Sequence, residues 1–160
     1  MISYAKQSIA QQRSSQKTTL FSKIVKARDD NLITKDELIT NALSYLIAGT
    51  ETTSNTLKFL VWAVSQNEAI RTRLVDELKA LPTDFSDADL EKLPFLGSVV
   101  QEALRLFSAA PAPLPRIVPR EGAMLGGYQL DAGTEFATQA YSMHRNADVF
   151  EDPYSFNPER

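Results

Sequence analysis

The chain has 160 residues, with 17 Lys and Arg against 20 Asp and Glu, one histidine and no cysteine. The absence of cysteine excludes disulfides, thiolate metal ligands and cysteine nucleophiles from these residues, and a single histidine excludes a metal site built from several histidines. No apolar run is long enough to span a bilayer, and the mild acidity gives no reason to expect nucleic acid as a partner.

Proline and glycine divide the chain into two halves. All eight prolines lie at or after Pro82, and five of the six glycines follow Gly49. This asymmetry predicts a helical first half and a turn-rich second half with short strands, so the expected fold class is mainly α with a small β component. The proline-rich segment Ala109–Pro119 is predicted to be a packed loop.

The helical half contains one long helix. Residues Tyr4 to about Arg28 are predicted to be helical and to precede it. Thr34 and Glu37 form a capping-box pattern, and apolar residues then recur at helical spacing to about Ser65. The pattern predicts a helix of roughly 45 Å, at about 1.5 Å rise per residue.

Three shorter helices are predicted next, each from its own start signal. The signals are Asn67 as an N-cap, Ser86 with Asp89 as a capping pair, and Pro94 at a first helical turn. The third helix is expected to reach Phe107.

The second half shows turn chemistry. Gly126-Gly127 between two short apolar segments predicts a two-residue hairpin. Asp131–Gly133 predicts a second turn, Glu135–Tyr141 another strand, and Phe150–Arg160 irregular structure.

A polar interruption, Ala48–Thr53 (AGTETT), lies in the middle of the long helix. Glycine there costs about 1 kcal/mol relative to alanine, and a mid-helix threonine can bond back to a carbonyl one turn earlier. The small residues leave room for a planar ligand, and the carboxylate with the hydroxyls suits a proton relay. The alternative is a helix–helix crossing at small residues with solvent-facing threonines.

Two further anomalies lie later in the chain. Glu102 and Arg105 have the spacing of an ion pair on an otherwise apolar helix. An exposed surface pair is the alternative, whereas a buried pair needs a third partner. Phe156–Arg160 (FNPER) is either a frayed tail or the source of that partner, Arg160.

These three segments, in this order, resemble the motifs of the cytochrome P450 family of haem-thiolate monooxygenases. Ala48–Thr53 resembles the central-helix signature, Glu102–Arg105 the ExxR motif, and Phe156–Arg160 the FxPER motif. The resemblance implies a partial P450 domain over residues 1–160, with a long central helix, an ExxR helix and short β-hairpins.

The resemblance also implies roles near the haem. Thr52 is expected to be the active-site alcohol that hydrogen-bonds dioxygen, and Glu51 its acid partner in proton delivery. Ala48 and Gly49 are expected to line the groove over the haem, and Arg116 to pair with a haem propionate.

Other implied roles are structural or concern the substrate. Glu102, Arg105 and Arg160 are expected to form a buried structural triad, and His144 to be a loop residue rather than a metal ligand. The expected substrate-facing residues are Ala109, Ala110, Ala112 and Leu114.

One departure from the family pattern decides how the chain is interpreted. The axial cysteine of the family lies beyond the FxPER motif, and no cysteine is present here. We therefore expect an internal piece that lacks the N-terminal part and the haem-cysteine loop, holds no metal ligand and is inactive alone.

The parent protein is expected to bind haem, O2 and a small lipophilic substrate, and to receive electrons from an NADPH-dependent reductase. An endoplasmic reticulum anchor is compatible with that interpretation. Two alternatives stay open: an enzyme of the same fold that rearranges peroxides, and a non-catalytic helical interaction module.

Overall fold

The computed structural model describes residues 1–14 and 19–160. Two compact units divide the chain, Met1–Ser54 and Asn55–Arg160, and the long helix contributes to each. The predicted class, mainly helical with small antiparallel sheets, is confirmed. None of the described helices combines the length and the hydrophobicity needed to cross a membrane.

The first unit contains α1 (Ile2–Ser14), α2 (Leu20–Asp29) and the beginning of α3 (Lys35–Gln66). The predicted capping box starts α3. The Thr34 N–H donates to Glu37 Oε2 at 2.7 Å, and the Glu37 N–H donates to Thr34 Oγ1 at 3.2 Å. Among the side chains of this unit that the structure describes, the buried apolar ones are Ala5, Val25, Leu38 and Ala42.

The predicted helices of the second unit are also confirmed, as α4 (Glu68–Lys79), α5 (Asp87–Leu90) and α6 (Pro94–Leu106). Asn67 caps α4, because its Oδ1 accepts from the Ile70 N–H at 3.1 Å. The buried core of the unit lies mainly along one face of α6, and its buried apolar residues are Ala63, Phe95, Val99, Ala103, Leu106 and Val118.

Four strands form two antiparallel pairs, with a short helix after the last strand. The elements are β1 (Pro113–Ile117), β2 (Ala123–Leu125), β3 (Tyr128–Leu130), β4 (Glu135–Gln139) and α7 (Ala140–Met143). β1 pairs with β4, and β2 pairs with β3. Gly126 (φ +57°) and Gly127 (φ +85°) make the predicted hairpin turn, which needs positive φ at both positions.

Two predictions in this half were wrong. The segment predicted as a packed loop contains β1, because its prolines occupy alternate positions and leave the N–H groups of Leu114 and Arg116 for the ladder. The strand predicted to reach Tyr141 ends at Gln139, where α7 begins.

Candidate functional site

The polar interruption in α3 lies on a bare stretch of helix. Every residue from Ala48 to Ser54 is exposed within this chain. A methyl group placed on Gly49 would meet no atom of the described residues within 4 Å outside its own helical turn. A flat ligand can therefore approach the α3 backbone here without displacing a side chain of the described residues.

Thr52 bonds back to its own helix. Its Oγ1 donates to the Ala48 carbonyl oxygen at 2.7 Å, the four-residue spacing expected for a mid-helix threonine. Glu51 is its neighbour in sequence, and the two side chains leave the helix roughly 100° apart. Direct transfer of a proton between them is therefore unfavourable, and a bridging water would be needed.

The structure brings Glu102, Arg105 and Arg160 together. Glu102 and Arg105 have side chains only 4% and 7% exposed, on the inward face of α6. Arg105 Nε donates to Glu102 Oε2 at 2.7 Å, and Nη2 donates to Oε1 at 2.8 Å. This is the bidentate geometry that makes charged hydrogen bonds strongest.

Arg105 uses all five of its N–H donors. Besides the two bonds to Glu102, Nη1 donates to the His144 carbonyl at 2.6 Å and the Pro153 carbonyl at 2.7 Å. Nη2 also donates to the Ser155 carbonyl at 3.1 Å. A lysine has three donors and no fork, so it cannot replace this guanidinium.

Arg160 completes the cluster from the irregular segment. Its Nε donates to Glu102 Oε1 at 3.1 Å, and its side chain is 18% exposed. The remaining donors reach the carbonyls of Glu151, Asp152 and Ser155. Two arginines thus bond the backbone of 151–155, which has no regular secondary structure of its own.

The carboxyl of Glu102 stays ionised because its partners outweigh its burial. Burial raises its pKa, but hydrogen bonds from Arg105, the Asn157 N–H and Arg160, with the positive charge of Arg105, lower it more. The net effect holds the pKa of Glu102 below its ordinary value. A carboxylate between two guanidiniums is therefore the expected state at neutral pH.

Arg116 lies in β1 opposite Phe136 of β4. Its side chain is exposed, and its Nη1 donates to the Pro115 carbonyl at 2.8 Å. No carboxylate of the described residues forms an ion pair with it, so the guanidinium has capacity for an anionic partner. The predicted substrate-facing residues lie just before or within β1; Ala110, Ala112 and Leu114 are exposed and Ala109 is half-buried.

Sequence patterns did not identify Glu77. Its carboxylate accepts from the N–H groups of Phe95 at 2.9 Å and Leu96 at 2.8 Å, so a side chain of α4 satisfies the free N–H groups at the start of α6. The one hint in the sequence is that α6 lacks a local cap: the Leu93 side chain in the cap position has no hydrogen-bond acceptor, and the first turn of α6 has no acidic residue. The free N–H groups at the start of this helix therefore need an acceptor from elsewhere in the chain.

Sequence patterns also did not predict an aromatic cluster around Phe107. The ring of Phe107, at the end of α6, stacks on Phe59 at 5.1 Å and on Phe156 at 6.3 Å between centroids. Trp62 meets Phe107 edge to face at 6.1 Å. Phe156 belongs to the FNPER segment, so that segment is held by ring contacts as well as by Arg160.

Comparison with known proteins identifies the family. The sequence model of the cytochrome P450 family matches residues 1–160. This chain belongs to the cytochrome P450 family. The resemblance read from the three motifs is thereby confirmed at family level.

Named relatives and solved structures agree with this assignment. Cytochrome P450 monooxygenases orf2 and azaI of Aspergillus niger are each 40% identical, over 97% and 96% of this chain and 31% and 32% of their own lengths. The chain thus spans about a third of the curated relatives that it matches.

Solved P450 structures have the same fold. A cyanobacterial P450 with bound retinoic acid, CYP120A1, superposes with a TM-score of 0.76 at 27% identity, over 99% of this chain and 37% of that one. A zebrafish cytochrome P450 solved with progesterone gives 0.66 at 29% identity, over 80% and 31%. Haem is the cofactor of this family.

Proposed function

We propose that this chain is part of a haem-dependent monooxygenase, which activates O2 and oxidises a small lipophilic substrate with electrons from an NADPH-dependent reductase. Family membership and relatives named as monooxygenases support the reaction class. The observation that carries the proposal is the exposed Thr52 hydroxyl, held by the Ala48 carbonyl on a bare stretch of α3.

Each of the two units has, by itself, a feature that suits a flat cofactor with anionic edges. In the first unit, the open space at Gly49 admits a planar ring beside Ala48. In the second unit, the exposed guanidinium of Arg116 suits a carboxylate. Haem, when bound, supplies the oxygen-activating redox chemistry. The chain has no cysteine, so the sulfur ligand would come from residues outside these 160.

Thr52 and Glu51 would move protons. The Thr52 hydroxyl donates to a backbone carbonyl at 2.7 Å and can exchange that bond for one to a ligand, at a net cost of only about 1 kcal/mol. Glu51 is an exposed carboxylate one residue away, and helix geometry turns its side chain about 100° from that of Thr52. A water between them would carry the proton from solvent through Glu51 to Thr52.

The substrate side of the proposal rests on small apolar residues. Ala109, Ala110, Ala112 and Leu114 form a nonpolar run before and within β1, with Leu114 51% exposed. Such a run has no charged and no hydrogen-bonding side chain, which suits a lipophilic molecule.

The test compares Thr52→Ala, Thr52→Ser and the control Thr50→Ala in the whole protein with its reductase. We expect Thr52→Ala to lower severalfold the fraction of NADPH electrons that reach product, with a matching rise in released hydrogen peroxide. Thr52→Ser keeps the hydroxyl and should stay near wild type, as should Thr50→Ala, which changes an exposed threonine of the same stretch.

Unchanged coupling in Thr52→Ala would refute the role of Thr52. Conversion of an organic peroxide, without reductase, into an isomer that keeps both peroxide oxygens would instead support the peroxide-rearranging alternative. A whole protein that contains no haem would support the interaction module.

A further inference from the structure

The C-terminal end of α6 is capped by side chains from a distant turn. The last carbonyls of a helix have no partner within it. The Arg105 carbonyl meets His144 Nδ1 at 3.1 Å, and the Leu106 carbonyl accepts from Arg145 Nη2 at 2.6 Å. Two adjacent residues thus satisfy two adjacent carbonyls, 39 positions earlier in the chain.

The contact between Arg105 and His144 is reciprocal. Arg105 Nη1 donates to the His144 carbonyl at 2.6 Å, while His144 Nδ1 faces the Arg105 carbonyl. A carbonyl only accepts, so Nδ1 must carry the proton. The imidazole therefore acts as a hydrogen-bond donor in this contact, and its Nδ1 position matters.

Arg145 ties the same turn to α7. Its guanidinium lies 4.0 Å from the ring centre of Tyr141, and its Nη1 donates to the Tyr141 carbonyl at 3.3 Å. The chain runs from β4 directly into α7, and β4 pairs with β1, where Phe136 is opposite Arg116. A continuous path of bonded elements thus joins the end of α6 to Arg116.

We propose that His144 and Arg145 are positioning residues that fix Arg116 by joining the end of α6 to the β1–β4 sheet. We name this pair the 144–145 latch. The inference rests on the proposed function, in which Arg116 binds a haem propionate. The latch then affects how long haem stays bound, and it does so only by holding Arg116 in place.

The experiment measures the rate of haem release to apomyoglobin from the whole protein. His144→Asn keeps an amide donor near the Nδ1 position, whereas His144→Gln moves the amide to the Nε2 position. We expect haem release to be about tenfold faster in His144→Gln, which is the size of effect seen when a hydrogen-bond partner that orients a binding residue is removed. In His144→Asn, haem release should stay near the wild-type rate. Equal release from the two variants would overturn the inference.

A second background separates positioning from general destabilisation. In Arg116→Gln, haem release is already fast, and His144→Gln should add little, because both changes act through one group. If His144→Gln speeds haem release by the same factor in the Arg116→Gln background as in the wild type, the latch acts by a route other than Arg116 and the proposal is overturned. If His144→Gln fails to fold, Arg145→Lys, which loses the guanidinium over the Tyr141 ring, takes its place in both measurements.

The outcomes distinguish the two levels of the proposal. A wild-type whole protein without haem defeats the proposed function itself. A haem-binding protein whose release rate ignores both latch changes defeats only the inference about the latch.

Discussion

Arg105 and Glu102 form a bidentate pair within a single turn of α6, with donor–acceptor distances of 2.7 and 2.8 Å. Both side chains then reach beyond the helix. Glu102 accepts from the Asn157 N–H at 2.9 Å, and Arg105 bonds the carbonyls of Pro153 and Ser155. The pair thus supplies the irregular segment with hydrogen-bond partners for backbone groups that a neighbouring strand would bond in a sheet.

Glu102→Gln should be strongly destabilising. The change leaves Arg105 buried without its counter-charge, and removing one partner of a buried pair costs about 3–5 kcal/mol. Urea unfolding of the whole protein, followed by circular dichroism, measures the loss in free energy of unfolding.

Asp76→Asn is the matched control, because Asp76 pairs with Lys79 at the same i,i+3 spacing but with side chains 65% and 71% exposed. It should change the free energy of unfolding by less than about 0.5 kcal/mol. If the two variants lost similar amounts of free energy of unfolding, burial would not make the Glu102–Arg105 pair more important to stability than an exposed pair.

Acid should destabilise the protein through Glu102. Its folded pKa lies below its ordinary value, so folding favours the ionised form. The resulting stability is fully present above the unfolded glutamate pKa, about 4.3, and is lost as pH falls through the lower folded pKa. The free energy of unfolding, measured against pH, should fall across this acid range in the wild type.

Glu102→Gln should flatten that acid fall, since the amide does not titrate. An equally steep fall in this variant would assign the pH dependence to other carboxylates.

Local signals predicted the helices and the hairpin, because caps and glycines act within a few residues. Thr34 and Glu37 lie three positions apart, and Gly126 and Gly127 are adjacent. Local signals did not predict β1, because its strand conformation depends on pairing with β4 some twenty residues later. Tertiary pairing here overrides the loop composition.

The difference between local signals and distant contacts also decided which site residues could be predicted. Motif order led to the Glu102, Arg105 and Arg160 cluster, but not to the backbone carbonyls that the arginines bond. Glu77 was missed because its effect lies 18 and 19 positions away, at the first N–H groups of α6. Every residue has a backbone carbonyl and every residue except proline a backbone N–H, so no residue type marks these partners in a sequence.

The same substitution should have opposite effects at two glycines. Gly127 has φ +85°, where alanine costs about 1–2 kcal/mol, so Gly127→Ala should destabilise the hairpin. Gly97 lies inside α6, and no atom of the described residues beyond its own helical turn lies within 4 Å of an added Cβ, so Gly97→Ala should stabilise by about 0.8 kcal/mol. Urea midpoints of the two variants should move in opposite directions, and a shared direction would contradict the assigned conformations.

Gly49→Leu tests whether the bare stretch of α3 is a cofactor surface. Among the described residues, no atom outside the helical turn of Gly49 lies within 4 Å of the added Cβ, and leucine is a better helix former than glycine by roughly 0.8 kcal/mol. The described residues thus supply no reason for the variant to misfold. In the whole protein we expect the helix content to be kept and the haem content, measured by pyridine haemochrome, to fall severalfold.

Gly97→Leu is the control for Gly49→Leu, because Gly97 is also an exposed helical glycine with open space around it. This variant should keep its haem. Full haem content in both variants would show that nothing planar lies against Ala48 and Gly49, and the groove would then be better explained as a crossing point for another helix.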